Sequence, residues 1–292
     1  MHGFKWCLFN LQIWIYFTDL LASVLIAPRF YFCMIGGRAH GYLFKLGMTV
    51  PQLIYIGFGA CGFMIASIAV LFIYRHQAVV PAGSLTKLKT RYVVIIVIIN
   101  FLIYGNMTLP AVFTAPINQL QAIIDFLKIE RCPPKDILDP AVYLLQFDYK
   151  TLLPYLIFLL VFIGSECGLL ALHTSWLLFF STLFQNLSKK TRRMQIKFLA
   201  SLAAQIAIPT TLCYAPIGYC LVTTMIDHYW QLANDICVFV FTSHGLVSSI
   251  CLLLFYDCYR DFLLNLLFGA CQLRFNKNST HPSEPGSLVT VF

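Results

Sequence analysis

The residues of this chain that could do chemistry are few, and they sit in unusual company. Asp19, Glu166, His173 and His244 each lie within a long apolar stretch. An acid or imidazole so placed can hold a cation, pass a proton, or bias one helix arrangement over another. Gln12, Tyr16, Asp19 and Ser23 fall at i, i+4, i+7 and i+11, which is one face of a helix. That face is expected to look into a bundle, because a carboxylate at a helix centre costs about 2.5–3.5 kcal/mol against lipid. Leu, Ile, Val and Phe in the same segment contribute about −0.3 to −0.6 kcal/mol each, so the segment still inserts.

Asp19 is therefore read as a conformational switch or ion site, with a hydrogen-bonded packing residue as the alternative. His244, followed by Gly245 and by Ser248 one turn later, makes a second polar patch and joins Asp19 as a candidate. Glu166 and His173, seven apart, share a face and are read as structural. No Lys or Arg lies in the core of any apolar stretch, which is too sparse for a proton-relay chain or a voltage sensor. The chain has no H-E-x-x-H, G-x-S-x-G or P-loop and no C-x-x-C, so catalysis, a cofactor and a metal site are not expected.

The elements that must position these residues follow from composition. Of 292 residues 59% are hydrophobic and 11% charged, with a mean hydropathy of +0.78, which excludes an ordinary soluble domain. Six stretches are long enough to cross about 30 Å of hydrocarbon as helix: residues 4–28, 51–74, 92–113, 152–176, 198–225 and 236–256. They lack the ten-residue alternation of a membrane barrel, so the fold class is an all-α membrane bundle occupying residues 1–256. The first stretch is too long and too polar for a cleaved leader. The segment 257–275 reads as an amphipathic helix on the inner leaflet, with Cys258 or Cys271 open to palmitoylation. Residues 276–292 read as a disordered tail.

Net charge is +8, but the basic residues cluster between apolar runs, which argues for membrane topology and against nucleic acid. One side of the six spans carries 13 Lys and Arg, including the "SKKTRR" cluster, against 7 on the other. Both termini are therefore expected in the cytoplasm. Cys33 and Cys132 fall in opposite-side loops and could form a disulfide. The sequons at Asn106, Asn186 and Asn278 lie in a span, beside basic residues and in the tail, and are expected to be unused. Pro209 and Pro216 each remove a backbone hydrogen bond from the fifth span and permit kinks.

The stretch "SHGLVSSICLLLFYDCYRDFLLNLL" resembles the seventh helix of nematode serpentine chemoreceptors, class H, where His-Gly-x-x-Ser leads to a Tyr-Arg exit. "KWCLFNLQIWIYFTDLLASVLIAP" is similar to that family's second helix and "LFIYRH" to its third-helix exit. "APINQLQAIIDFLKIERCPP" is similar to its second extracellular loop, and "SKKTRRMQIKFLASLAAQIAIP" to its third inner loop and sixth helix. The resemblance spans about residues 4–270. Two positions depart from the family pattern: no acid precedes Tyr74-Arg75, and Cys258 stands where proline is usual.

The resemblance implies a seven-transmembrane G-protein-coupled receptor fold with six spans present, the family's first helix being expected ahead of Met1. It implies a chemosensory receptor in the plasma membrane of sensory neurons that binds a small external ligand and signals to a heterotrimeric G protein. The basic inner residues Arg75, Lys189, Lys190, Arg192, Arg193 and Arg260 would face that G protein, topology marking and lipid headgroup contact being the other reading. Tyr55, Tyr104, Asn106, Tyr155, Tyr214 and Phe239 are available for a ligand pocket in the outer half. A nonfunctional receptor fragment and a channel or transporter remain the alternatives.

Overall fold

A capping box starts the longest-buried helix of the molecule: the Thr49 N–H donates to the Gln52 side chain at 3.0 Å while Thr49 caps the backbone three residues on, and Pro51 fits the first turn. In the computed structural model, residues 2–31, 35–81, 83–129, 137–145, 149–180, 189–226, 230–255, 259–260 and 262–266 are described. Their elements are α1 (His2–Leu20, continued by a π-helical turn Leu21–Leu25), β1 (Pro28–Tyr31), β2 (Gly36–Ala39), α2 (Tyr42–Lys45) and α3 (Val50–Val79). Then come α4 (Thr90–Gly105), α5 (Leu109–Phe113), α6 (Gln119–Ile129), β3 (Val142–Leu144), α7 (Tyr149–Phe180), α8 (Lys189–Met225), α9 (Gln231–Thr242) and α10 (His244–Phe255).

The molecule is a mostly helical, multi-pass membrane protein. Five helical stretches are long and apolar enough to cross a bilayer: Phe4–Leu25, Val50–Val79, Thr90–Phe113, Pro154–Phe179 and Gln231–Phe255. The 37-residue α8 is the sixth rod, with its basic residues confined to the first turns. It runs unbroken through Pro209 and Pro216.

Most rods run past the expected boundaries, while the first stops short and two are interrupted. The first rod stops at Leu25 rather than residue 28, since Pro28 lacks the N–H a continuing helix needs and already stands in β1. The third rod breaks at Asn106–Thr108 before α5, where Pro110 could not bond the carbonyl one turn earlier. The last rod begins at Gln231 and is interrupted at Ser243, which ends α9 and precedes α10.

The sheet was not foreseen in an all-α reading. β1 pairs antiparallel with β2 and β2 with β3, so the loop after the first rod and the loop before α7 share one sheet at one end of the bundle. Three or four residues per strand are too short for period-two alternation to register, and β2 opens on two glycines. Gln119 at the start of α6 seals the outer edge: its Oε1 accepts from the Leu144 N–H at 2.8 Å and its Nε2 donates to the Leu144 carbonyl at 3.1 Å. Tyr31, Ala122, Ile123, Phe126, Ile137, Val142 and Leu144 fill the space between sheet and α6.

Within the bundle, α3 is central and packs against α1, α4 and α7. Between membrane helices close approach and polar contacts matter more than apolar burial. At Gly62 a Cβ would run into the Tyr104 backbone, so α3 and α4 meet main chain to main chain. Phe4, Leu8, Leu11, Ile15, Met64 and Leu71 close the α1–α3 seam, with Leu252 and Phe255 of α10 against it.

Candidate functional site

The face of α1 that carries the acid meets the last rod. Gln12 Nε2 donates to Ser249 Oγ at 2.9 Å, and Tyr16 Oη lies 3.0 Å from the same oxygen. One turn further on, Asp19 Oδ1 is 3.2 Å from His244 Nδ1. Ser23, at the far end of this row, instead donates back to the Asp19 carbonyl at 2.6 Å and is exposed. On the neighbouring face Asn10 Nδ2 donates to Ser67 Oγ at 2.8 Å, tying α1 to α3.

His244 is 2% exposed and opens α10 immediately after the break at Ser243. Its Nδ1 donates to the Phe241 carbonyl at 2.7 Å, shorter than its 3.2 Å approach to Asp19 Oδ1. Asp19 Oδ1 thus lies beside the imidazole and receives no hydrogen bond of its own. His244 Nε2 faces Met64 Sδ of α3 at 3.3 Å. One imidazole therefore touches three rods: α1 through Asp19, α3 through Met64, and its own through Phe241.

The next residue makes this approach feasible. At Gly245 a Cβ would collide with the Asp19 carboxylate, with Asp19 Cγ at 2.6 Å and Ile15 Cγ2 at 2.9 Å. Only glycine lets α10 lie this close to α1. The break at Ser243 is itself well bonded, its N–H reaching the Phe239 and Val240 carbonyls at 3.1 and 3.2 Å and its hydroxyl the Phe239 carbonyl at 2.8 Å.

Two further polar contacts lie deep in the bundle. Glu166 of α7 receives Asn100 Nδ2 of α4 at 2.6 Å on one oxygen and the Tyr104 hydroxyl on the other. Asn100 and Tyr104 are one turn apart and both buried, so a single carboxylate clamps α4 to α7. Toward the opposite end, His76 Nε2 of α3 lies 2.7 Å from His173 Nδ1 of α7. Glu166 and His173 thus point the same way but meet different helices. The shared face was legible from their spacing; the partners Asn100, Tyr104 and His76 were not, because spacing along one helix says nothing of what stands opposite.

The six residues proposed for a ligand pocket separate into different environments. Tyr55 Oη donates to Asn106 Oδ1 at 2.8 Å, and Asn106 Nδ2 donates to the Leu102 carbonyl at 2.8 Å, so that amide is engaged inside the fold. Tyr104 serves Glu166, and the Tyr155 hydroxyl donates to the Met107 carbonyl. Tyr214 is half-buried in α8, and Phe239 is 71% exposed on α9. At the sheet end a cavity of about 480 Å³ is lined by Phe44, Pro51, Gln119, Asp139, Ala141 and Tyr143, among others. Asp139 there accepts from Arg38 at 2.5 Å and from the Ala141 N–H at 2.8 Å, which braces the cavity rim.

At the basic end, Arg75 stands near the end of α3 with its guanidinium over the Phe4 ring at 6.0 Å. Lys190 and Arg193 are exposed in the first turns of α8 and line a recess of about 370 Å³ with Met194 and Lys197. Lys189 and Arg192 stand in the same turns, their side chains outside the described residues. Arg260 is exposed in a short helical stretch after α10. Cys33 and Cys132, Cys258 and Cys271, Asn186 and Asn278, and the tail 276–292 lie outside the described residues.

Comparison with known proteins gives one result. The family model described as "Serpentine type 7TM GPCR chemoreceptor Srh" matches residues 1–269. No curated protein and no solved structure matches the chain.

Proposed function

This chain belongs to the Srh family of serpentine 7TM GPCR chemoreceptors, and on that premise we propose that it is a chemosensory receptor that binds a small external molecule and signals to a heterotrimeric G protein. The observation that carries the reading is the Asp19–His244 approach: a carboxylate and an imidazole meet at 3.2 Å across the first and last rods, at the break in the latter. A receptor needs an element with two discrete arrangements, and a ligand shifts it by binding one arrangement better. A carboxylate–imidazole contact across a helix break fits that role, because separating the rods leaves two polar groups in a poorly solvated interior.

The sheet end receives the ligand from outside the cell, and the basic end faces the cytoplasm, in keeping with the distribution of Lys and Arg. The ligand enters between the outer halves of the rods, where Tyr55, Tyr104, Asn106, Tyr155, Tyr214 and Phe239 are the residues to vary first. Arg75, Lys189, Lys190, Arg192, Arg193 and Arg260 supply the positive surface for the G protein and for anionic headgroups. The location is the plasma membrane of sensory neurons.

The test is expression of the full chain with an extracellularly accessible tag, in cells carrying a G-protein dissociation sensor, against a panel of small volatile and water-soluble compounds. Ligand-dependent dissociation that is lost in Arg75→Ala and in Lys190→Ala/Arg193→Ala, at unchanged surface level, supports the proposal. Ion or solute flux in reconstituted vesicles without any G protein would instead make the chain a channel or transporter.

A further inference from the structure

The His76–His173 contact lies away from the Asp19–His244 site and is part of a longer network. Gln77, next to His76, holds the loop after α3 from several sides. Its Nε2 donates to the Thr86 carbonyl at 2.9 Å, its Oε1 accepts from the Leu88 N–H at 2.9 Å, and its own carbonyl accepts from Lys87 Nζ. With Oε1 committed to Leu88, the remaining contact has one sense: Gln77 Nε2 donates to His76 Nδ1 at 3.2 Å. His76 Nδ1 is then bare, its proton sits on Nε2, and Nε2 donates to the bare Nδ1 of His173. The tautomers of both rings are fixed by their neighbours.

We propose that this chain of contacts is a proton-operated clasp: at neutral pH it locks α3 and the following loop to α7, and acidification opens it. One proton on His76 Nδ1 places two donors face to face and removes the Gln77 contact. A proton on His173 Nδ1 does the same to the bond between the rings. The groups facing the pair give no compensation. Lys87 approaches from the loop and Arg75 precedes His76 on α3, both positive, while α7 brings the ring of Trp176, stacked on His173 at 6.1 Å, and the apolar Leu177 and Leu178. Among the described residues no carboxylate pairs with either imidazole.

The sign follows from linkage. The clasp needs a bare nitrogen on each ring, and a free imidazole takes up a proton at about pH 6.5. The open state binds more protons, so the clasp is intact above that value and lost as pH falls through it. The open-to-closed ratio changes by up to about tenfold per pH unit for each proton taken up. On the receptor reading, from which the cytoplasmic placement of this end follows, the clasp opens beside the G-protein face when the cell interior acidifies.

The deciding experiment uses the full chain in lipid nanodiscs with 15N-labelled histidine. A through-hydrogen-bond coupling between one Nε2 and one Nδ1 is expected at pH about 7.5, absent in His173→Gln, and lost in the wild type below about pH 6. Thermal stability of the wild type should fall across the same window, and that of His173→Gln should fall less. No coupling at the higher pH, its persistence at the lower, or identical pH profiles for the two proteins would overturn the clasp. Because the wild-type spectrum needs neither a ligand nor a G protein, its failure leaves the receptor reading to the dissociation assay.

Discussion

Adding one methyl group at position 245 tests whether the approach of Asp19 to His244 is what joins the first rod to the last. In Gly245→Ala the new Cβ would stand 2.6 Å from Asp19 Cγ and 2.9 Å from Ile15 Cγ2, where ordinary contact begins at 3.4 Å. Either the carboxylate swings away from His244 or α10 retreats from α1. Overpacking of this kind costs about 1–3 kcal/mol. For a chain of this size that lowers the melting temperature by about 2–10 °C. Cys220 and Cys251 are buried, whereas Cys7, Cys61, Cys167, Cys213 and Cys237 are half-buried, so the assay follows, with a thiol-reactive dye in detergent, the additional labelling that appears on heating. The control is the same substitution in Asp19→Ser, where the obstructing carboxylate is gone. There Gly245→Ala should cost at least about 1 kcal/mol less. If the single variant is as stable as the wild type, or if the two substitutions add to within about 0.5 kcal/mol, the steric reasoning is wrong and the rods are joined elsewhere.

Removing the Tyr104 hydroxyl in Tyr104→Phe leaves one oxygen of the half-buried Glu166 without its donor and should cost about 1–3 kcal/mol by the same thermal assay, while Glu166→Gln, which keeps an acceptor, should cost less. In Gln119→Ala the Leu144 N–H loses its partner; amide exchange at Leu144 should quicken by roughly tenfold or more, matching about 1.5 kcal/mol for the lost bonds, with the bundle's melting unchanged. Asp125 on α6 is held below the ordinary carboxylate range by its hydrogen bonds from Lys128 and Gln121. Its contribution is therefore present above that range and fades as pH falls through the lowered value, and Lys128→Ala should bring its NMR titration back toward the ordinary value.

The rods were legible because about 20 consecutive apolar residues leave a signal no other element imitates; the polar row of α1 marked the flank that meets α10, but Tyr16 and Ser23 of that row are exposed and the buried face is Phe4, Leu8, Leu11, Ile15 and Thr18. The family motifs placed the chain before any geometry was known. What could not be read was everything that depends on which helix stands opposite. Asn100 and Tyr104 look like one polar stripe in an apolar run until Glu166 is seen between them. His76 sits in a polar helix exit, where an imidazole needs no explanation, and only the tertiary fold brings it to His173. The strands escaped notice for a different reason: β3 pairs with β2 more than a hundred residues away in sequence, and neither segment has an amphipathic pattern of its own.

The joint at Ser243 gives the last rod two allegiances. Its upper half, α9, leans on β1, with Arg29 Nε 3.8 Å from Asp235, while its lower half, α10, is bonded to α1 through Ser249 and His244. A shove on the sheet thus reaches α10 through this elbow, and α1 directly, since the first rod runs into β1. Three short bonds from Ser243 to the carbonyls above it decide how much of that shove is passed on as rotation and how much is absorbed as bending.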